Sequence, residues 1–107
     1  MTDDVRNRYQ AKARIIKALA HPTRLFIVDQ LSHGKRCVCE LTALVGDDIS
    51  TVSRHLSVLR NAGVVSDRKH GQQVFYRLRC PCVLNFFSCV DEVMAKTATH
   101  LTGATTP

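Results

Sequence analysis

Apolar residues recur at helical spacing in most of the chain and at alternate positions in one stretch, and these two rhythms divide it into elements. Residues 5–20 carry Val5, Tyr9, Ile15, Ile16 and Leu19, which predicts a first helix with those side chains buried. His21-Pro22 ends it, because a proline drives its predecessor out of α geometry. Pro22 then suits the first turn of a second helix over 23–33. Its nearly unbroken run Leu25, Phe26, Ile27, Val28 and Leu31 predicts a buried, central position, and Gly34 closes it. Residues 35–38 are short and read as extended, a third helix begins at Cys39 or Glu40 and runs to Val45, and Gly46 stops it. The fourth helix has both ends written out: Asp48 as N-cap, Gly63 beyond the C-terminus, and a narrow stripe of Ile49, Val52, Leu56 and Leu59 between them. After Gly63 the period changes. Residues 64–69, a turn at His70-Gly71-Gln72, and residues 73–79 with Val74, Tyr76 and Leu78 in alternation predict a β-hairpin ended by Pro81. A last helix over 83–101 presents Val83, Phe86, Phe87, Val90, Val93, Met94 and Leu101, and the tail 102–107 reads as disordered. The expected fold is one mainly α domain over 1–101 with a two-stranded hairpin.

About three residues separate the third and fourth helices, the spacing of a helix-turn-helix, so the fourth becomes the recognition helix. Its polar face carries Ser50, Thr51, Ser53, Arg54 and His55, short hydroxyls and donors near the positive end of the helix that suit phosphates and base edges. Arg68, Lys69 and His70 make the tip of the hairpin basic, as a wing over a phosphate backbone would be. Charge sharpens this. With 15 Lys+Arg against 9 Asp+Glu the chain favours polyanions. Residues 49–79 hold Arg54, Arg60, Arg68, Lys69, Arg77 and Arg79 against Asp67 alone. The other basic block, from Arg6 to Lys17, is read as a solvated face. The first and last helices, 5–20 and 83–101, could cap the core or join two copies, and the aromatic pair Phe86 and Phe87 favours the second role.

No apolar run approaches the ~20 residues that span a bilayer, and Met1-Thr2-Asp3-Asp4 lacks the pattern of a signal peptide, so a cytoplasmic protein without a membrane partner is expected. Five cysteines without such a signal point to reduced thiols that can bind metals or sense oxidants. Cys37-Val38-Cys39 is the sharpest chemical signal, since two thiolates so close can converge on one soft ion. Cys80-Pro81-Cys82 and Cys89 are the further sulfur donors available. No arrangement of Ser, His, Asp or Cys follows a recognisable catalytic motif, so an enzyme is not expected.

Four motifs in order, His21-Pro22-Thr23-Arg24-Leu25, Cys37-Val38-Cys39-Glu40-Leu41, the run Ser50 to Leu56 with Leu59-Arg60-Asn61-Ala62-Gly63, and Asp67-Arg68-Lys69-His70-Gly71 with Tyr76-Arg77-Leu78, resemble the ArsR/SmtB repressors. The resemblance covers roughly residues 10–80 and implies a homodimeric winged helix-turn-helix repressor on an operator of imperfect dyad symmetry. It implies release by an inducer at Cys37 and Cys39, with arsenite or antimonite favoured and cadmium, lead or zinc as alternatives. Arsenite sensors of the best-known type carry a third cysteine where this chain has Thr42. A composite site is therefore expected, in which an extended 35–38 pairs with the returning wing strand and brings Cys80 or Cys82, or also Cys89, towards Cys37 and Cys39. Two other readings stand beside it: a redox or persulfide sensor using a cysteine pair, and a thiol module that sequesters metal.

Overall fold

The computed structural model describes residues 1–102, and their side chains as far as Ala98. Five helices and three short strands follow one another as α1 (Asp3–Leu19), α2 (Pro22–Leu31), β1 (Arg36–Cys37), α3 (Val38–Val45), α4 (Ile49–Asn61), β2 (Val65–His70), β3 (Gln73–Leu78) and α5 (Val83–Thr102). This is the winged helix-turn-helix plan, with one strand more than the two-stranded wing. Arg36 and Cys37 pair antiparallel with Tyr76 and Phe75, so the sheet order is β1-β3-β2. The hairpin turns tighter than expected. His70 belongs to β2 and pairs with Gln73, leaving a two-residue loop in which Gly71 takes a positive φ of 65°.

The core gathers one stripe from each reading element. Ile27, Val28 and Leu31 of α2, Leu41 of α3, Val52, Leu56 and Leu59 of α4, and Val65 and Tyr76 of the sheet are buried together with Leu19. The core positions of α4 match its apolar stripe, except that Ile49 lies in the open. Helix boundaries differ modestly from the sequence reading: α2 starts at Pro22 and ends at Leu31, and α3 starts at Val38 because Cys37 is its N-cap.

The outer helices depart from expectation. In α1 only the C-terminal turn enters the core, through Ala18 and Leu19, whereas Tyr9 is 58% and Ile16 50% exposed and Ile15 is exposed as well. Leu25 and Phe26 of α2, expected to be buried, also face outward. In α5, Val83 and Phe87 pack against the core edge while Val93 and Met94 are each 63% exposed. The physical reason is that, among the described residues, no element covers these stripes. A radius of gyration of 16.8 Å is well above the ~13 Å of a compact domain of this size. An open groove of about 750 Å³ runs between these helices, lined by Ile16, Leu25, Phe26, Phe86, Val90 and Met94 among others. Leu101 and the tail beyond Thr102 lie outside the described side chains.

Candidate nucleic-acid interface

Helix α4 is built to present its polar face. The Asp48 carboxylate accepts the Thr51 amide at 2.7 Å and so caps the first turn. That amide, then the Thr51 hydroxyl, with Arg54 nearby, hold the Asp48 carboxyl below its ordinary range. At the other end Gly63 takes a positive φ of 83°, and the chain reverses into β2. Burying Val52, Leu56 and Leu59 turns Ser50, Ser53 and Arg54 to solvent, with Thr51 half-buried beside them. Arg60 at the last turn donates to Asp67 of β2 at 2.9 Å, which fixes the wing against α4. The two expected reading surfaces are thus joined by an ion pair. On the wing, Arg68, Lys69 and His70 are exposed, with the His70 ring edge-on to Phe75 at 6.4 Å.

His55 stands apart from that face. Its ring lies 4.5 Å from the His21 ring, and its Nδ1 accepts from the Arg24 guanidinium at 3.2 Å. Burial, then the positive fields of His21 and Arg24, push its imidazole below the ordinary histidine value. Arg24 is a partner of His55 that pattern reading did not bring to it. It stands 31 positions from His55, and nothing in helical periodicity links the two.

The thiols divide in the same way. Cys37 is 4% exposed and its Sγ accepts the Glu40 amide at 3.4 Å, while Glu40 Oε1 accepts the Cys37 amide at 3.1 Å. This is a capping box with cysteine in the place of serine or threonine, legible in the sequence as Cys37-x-x-Glu40. Arg36 steadies it, pairing with Glu40 at 3.6 Å and donating to the Gln30 carbonyl. The sulfurs of Cys37 and Cys39 are joined as a disulfide, with Cα atoms 5.4 Å apart. Cys80, Cys82 and Cys89 are exposed free thiols. Strand pairing between β1 and β3 does form, but its register sets Cys37 opposite Phe75. Cys80 is five residues further along, about 16 Å if the chain stays extended. Within one chain the structure therefore does not gather the three- or four-sulfur site expected from the sequence. Among the described residues no group of three His, Cys, Asp or Glu side chains is arranged to hold a metal ion.

Among the described residues no helix is long and apolar enough to cross a membrane. The family described as bacterial regulatory protein, arsR family, matches residues 21–67, from the cap of α2 to the first half of the wing. An uncharacterized HTH-type transcriptional regulator of Methanocaldococcus jannaschii is 37% identical over 87 residues, covering 80% of this chain and 98% of its own. A biofilm growth-associated repressor of Xylella fastidiosa is 40% identical over 76 residues, 71% of this chain and 67% of that one. Among solved structures, the homodimeric winged helix-turn-helix DNA-binding domain of Mb0332 from Mycobacterium bovis superposes with a TM-score of 0.79 at 31% identity, covering 94% of this chain and 93% of that one. A capped, solvent-facing α4 tied to a basic wing, together with these similarities, makes the chain a member of the arsR family of bacterial regulatory proteins, a DNA-binding transcriptional repressor and not an enzyme.

Proposed function

We propose that the protein works as a homodimer that occupies an operator of imperfect dyad symmetry and releases it when arsenite or antimonite binds the reduced thiolates of Cys37 and Cys39. One observation carries the reading: the Cys37 sulfur, the atom proposed to sense, is the N-cap acceptor of α3, the helix against which α4 packs. A capping contact contributes about 1 kcal/mol, and a coupling of ~1–3 kcal/mol is enough for inducer-driven release. Linkage is reciprocal, so inducer binds less tightly to the operator complex than to free protein. Cadmium, lead or zinc are alternative ligands of the same thiolates. The pair supplies two sulfur donors, and Cys80, Cys82 or Cys89 of the partner protomer, or a small thiol, would supply a third. Two of those, Cys80 and Cys82, flank the start of α5, whose uncovered apolar face is the natural dimer surface along with α1. At the operator, Ser50, Thr51, Ser53 and Arg54 read the major groove while Arg68, Lys69 and His70 hold flanking phosphates.

The disulfide between Cys37 and Cys39 favours a second reading, a redox or persulfide sensor. There, two thiols lose two protons and pass two electrons to a peroxide or sulfane-sulfur oxidant, and the new S–S bond is the trigger. A thiol sequestration module is disfavoured by family membership. Titration of the operator complex with arsenite, antimonite and cadmium under reducing conditions tests the first reading, using single Cys→Ser variants. Release by arsenite that disappears in Cys37→Ser and Cys39→Ser supports it. Release only after oxidant, with a Cys37–Cys39 crosslink in the peptide mass spectrum, transfers the role to the redox sensor.

A further inference from the structure

Three helices meet at one guanidinium. Arg24, near the start of α2, donates through Nε to the Ala18 carbonyl in the last turn of α1 at 2.6 Å, and through Nη1 to His55 Nδ1 on α4 at 3.2 Å. His21, the N-cap of α2, accepts the Thr23 amide with its own Nδ1 and lays its ring 4.5 Å from that of His55. Arg24 and His55 are both half-buried, and their bond is the polar side-chain link between α2 and the reading helix among the hydrogen bonds of the described residues. Because a guanidinium has donors and no acceptor, His55 must offer a bare Nδ1, so its proton sits on Nε2 and the ring is neutral.

We infer that Arg24 is a positioning residue for DNA binding, holding α4 to the rest of the domain through a neutral His55, and that protonation of His55 releases this hold and weakens operator binding. A protonated imidazole donates at both nitrogens, so His55⁺ would turn an N–H against the Arg24 N–H and set two cations together. The charged groups around His55 decide the direction. His21 and Arg24 across the α2 contact and Arg54 beside it oppose the proton, while Asp47 ahead of α4 favours it and is outweighed. One arm of Arg24 holds the Ala18 carbonyl of α1 and the other holds His55, so its grip on α4 runs through His55.

The inference rests on α4 being the operator-reading helix, and the experiment separates the two. Histidine Hε1 resonances of the full-length protein, followed by NMR from pH 5 to 8 without DNA, report His55 directly. Its midpoint is expected below the ordinary histidine range in the wild type and should rise in Arg24→Met. Fluorescence anisotropy on a duplex of the footprinted upstream site, at constant salt, supplies the second arm. Arg24→Met should bind about ten-fold more weakly at pH 7.5, and Arg24→Lys, which keeps the charge but not the two-armed geometry, should resemble it. The wild type should lose about two- to four-fold more affinity than His55→Asn between pH 7.5 and 5.5, the most that proton linkage allows an imidazole titrating below its ordinary value. Asn keeps an acceptor near the Nδ1 position and cannot titrate there. An unchanged His55 midpoint in Arg24→Met, or full affinity in Arg24→Lys, overturns the inference. A moved midpoint with no change in operator binding would show that the contact exists and does not position the reading helix.

Discussion

The reading half of the molecule, α3, α4 and the wing, and its flanking half, α1 and α5, are built from similarly amphipathic helices, yet they end in opposite states. In α4 the stripe Val52, Leu56 and Leu59 is fully buried within the chain. In α1 and α5, Tyr9, Ile16, Val93 and Met94 stand half or more exposed. An apolar stripe states that something must cover it; it does not say whether the cover is the same chain. The polar face of α4 is free for DNA because its own domain satisfies the other face. The outer helices keep an apolar face that their own described domain leaves open, the face on which the proposed dimer would close.

The comparison breaks first at the core. Leu56→Ala should cost about 2–5 kcal/mol of stability, read from urea denaturation of the full chain. A loss under ~1 kcal/mol would mean that α4 does not draw its position from the buried stripe. On the flanking half, Val93→Asp should convert dimer to monomer in sedimentation velocity while the far-ultraviolet circular dichroism stays close to that of the wild type. Collapse of the fold in that variant would place Val93 in the monomer's own core instead. Between the halves, Arg54→Ala should reduce operator affinity by about ten- to a hundred-fold, the ~1–3 kcal/mol of a good base contact, and leave the denaturation midpoint unchanged.

The smallest effect is at the cap. The folded Asp48 carboxyl titrates below its unfolded value, so its contribution is present above the ordinary carboxylate range and is lost as pH falls through the folded value. Asp48→Asn keeps an acceptor for the Thr51 amide and loses the charge. The wild type should therefore be slightly the more stable at pH 7, with the gap closing as pH falls below the ordinary carboxylate range and through the folded value. A gap independent of pH would remove the charge from the explanation.

What was legible in the sequence was local. Asp48, Gly63 and the 3.6-residue stripe bound α4 with no help from the rest of the chain, and alternation at Val74, Tyr76 and Leu78 located the second wing strand. Register and long-range polar contacts were not legible. Sequence could pair β1 with β3, yet the choice of Phe75 as the partner of Cys37, which leaves Cys80 five residues away, depends on how the hairpin closes in three dimensions. His55 read as a member of the DNA-facing set because it is a polar donor near the start of α4, but one step along a helix turns it by about 100° from Arg54. That rotation carries it to Arg24 and His21. Glu40 is the opposite case, a local Cys-x-x-Glu capping pattern that periodicity alone passes over.

Hydroxyl-radical footprinting of the reduced protein on its upstream DNA tests the central claim most directly, since it reads both halves at once. A dimer joined through α1 and α5 with one α4 in each of two successive major grooves predicts two protected half-sites related by a dyad, their centres about 34–36 Å apart, or 10–10.5 base pairs. A single protected patch without dyad symmetry would contradict it.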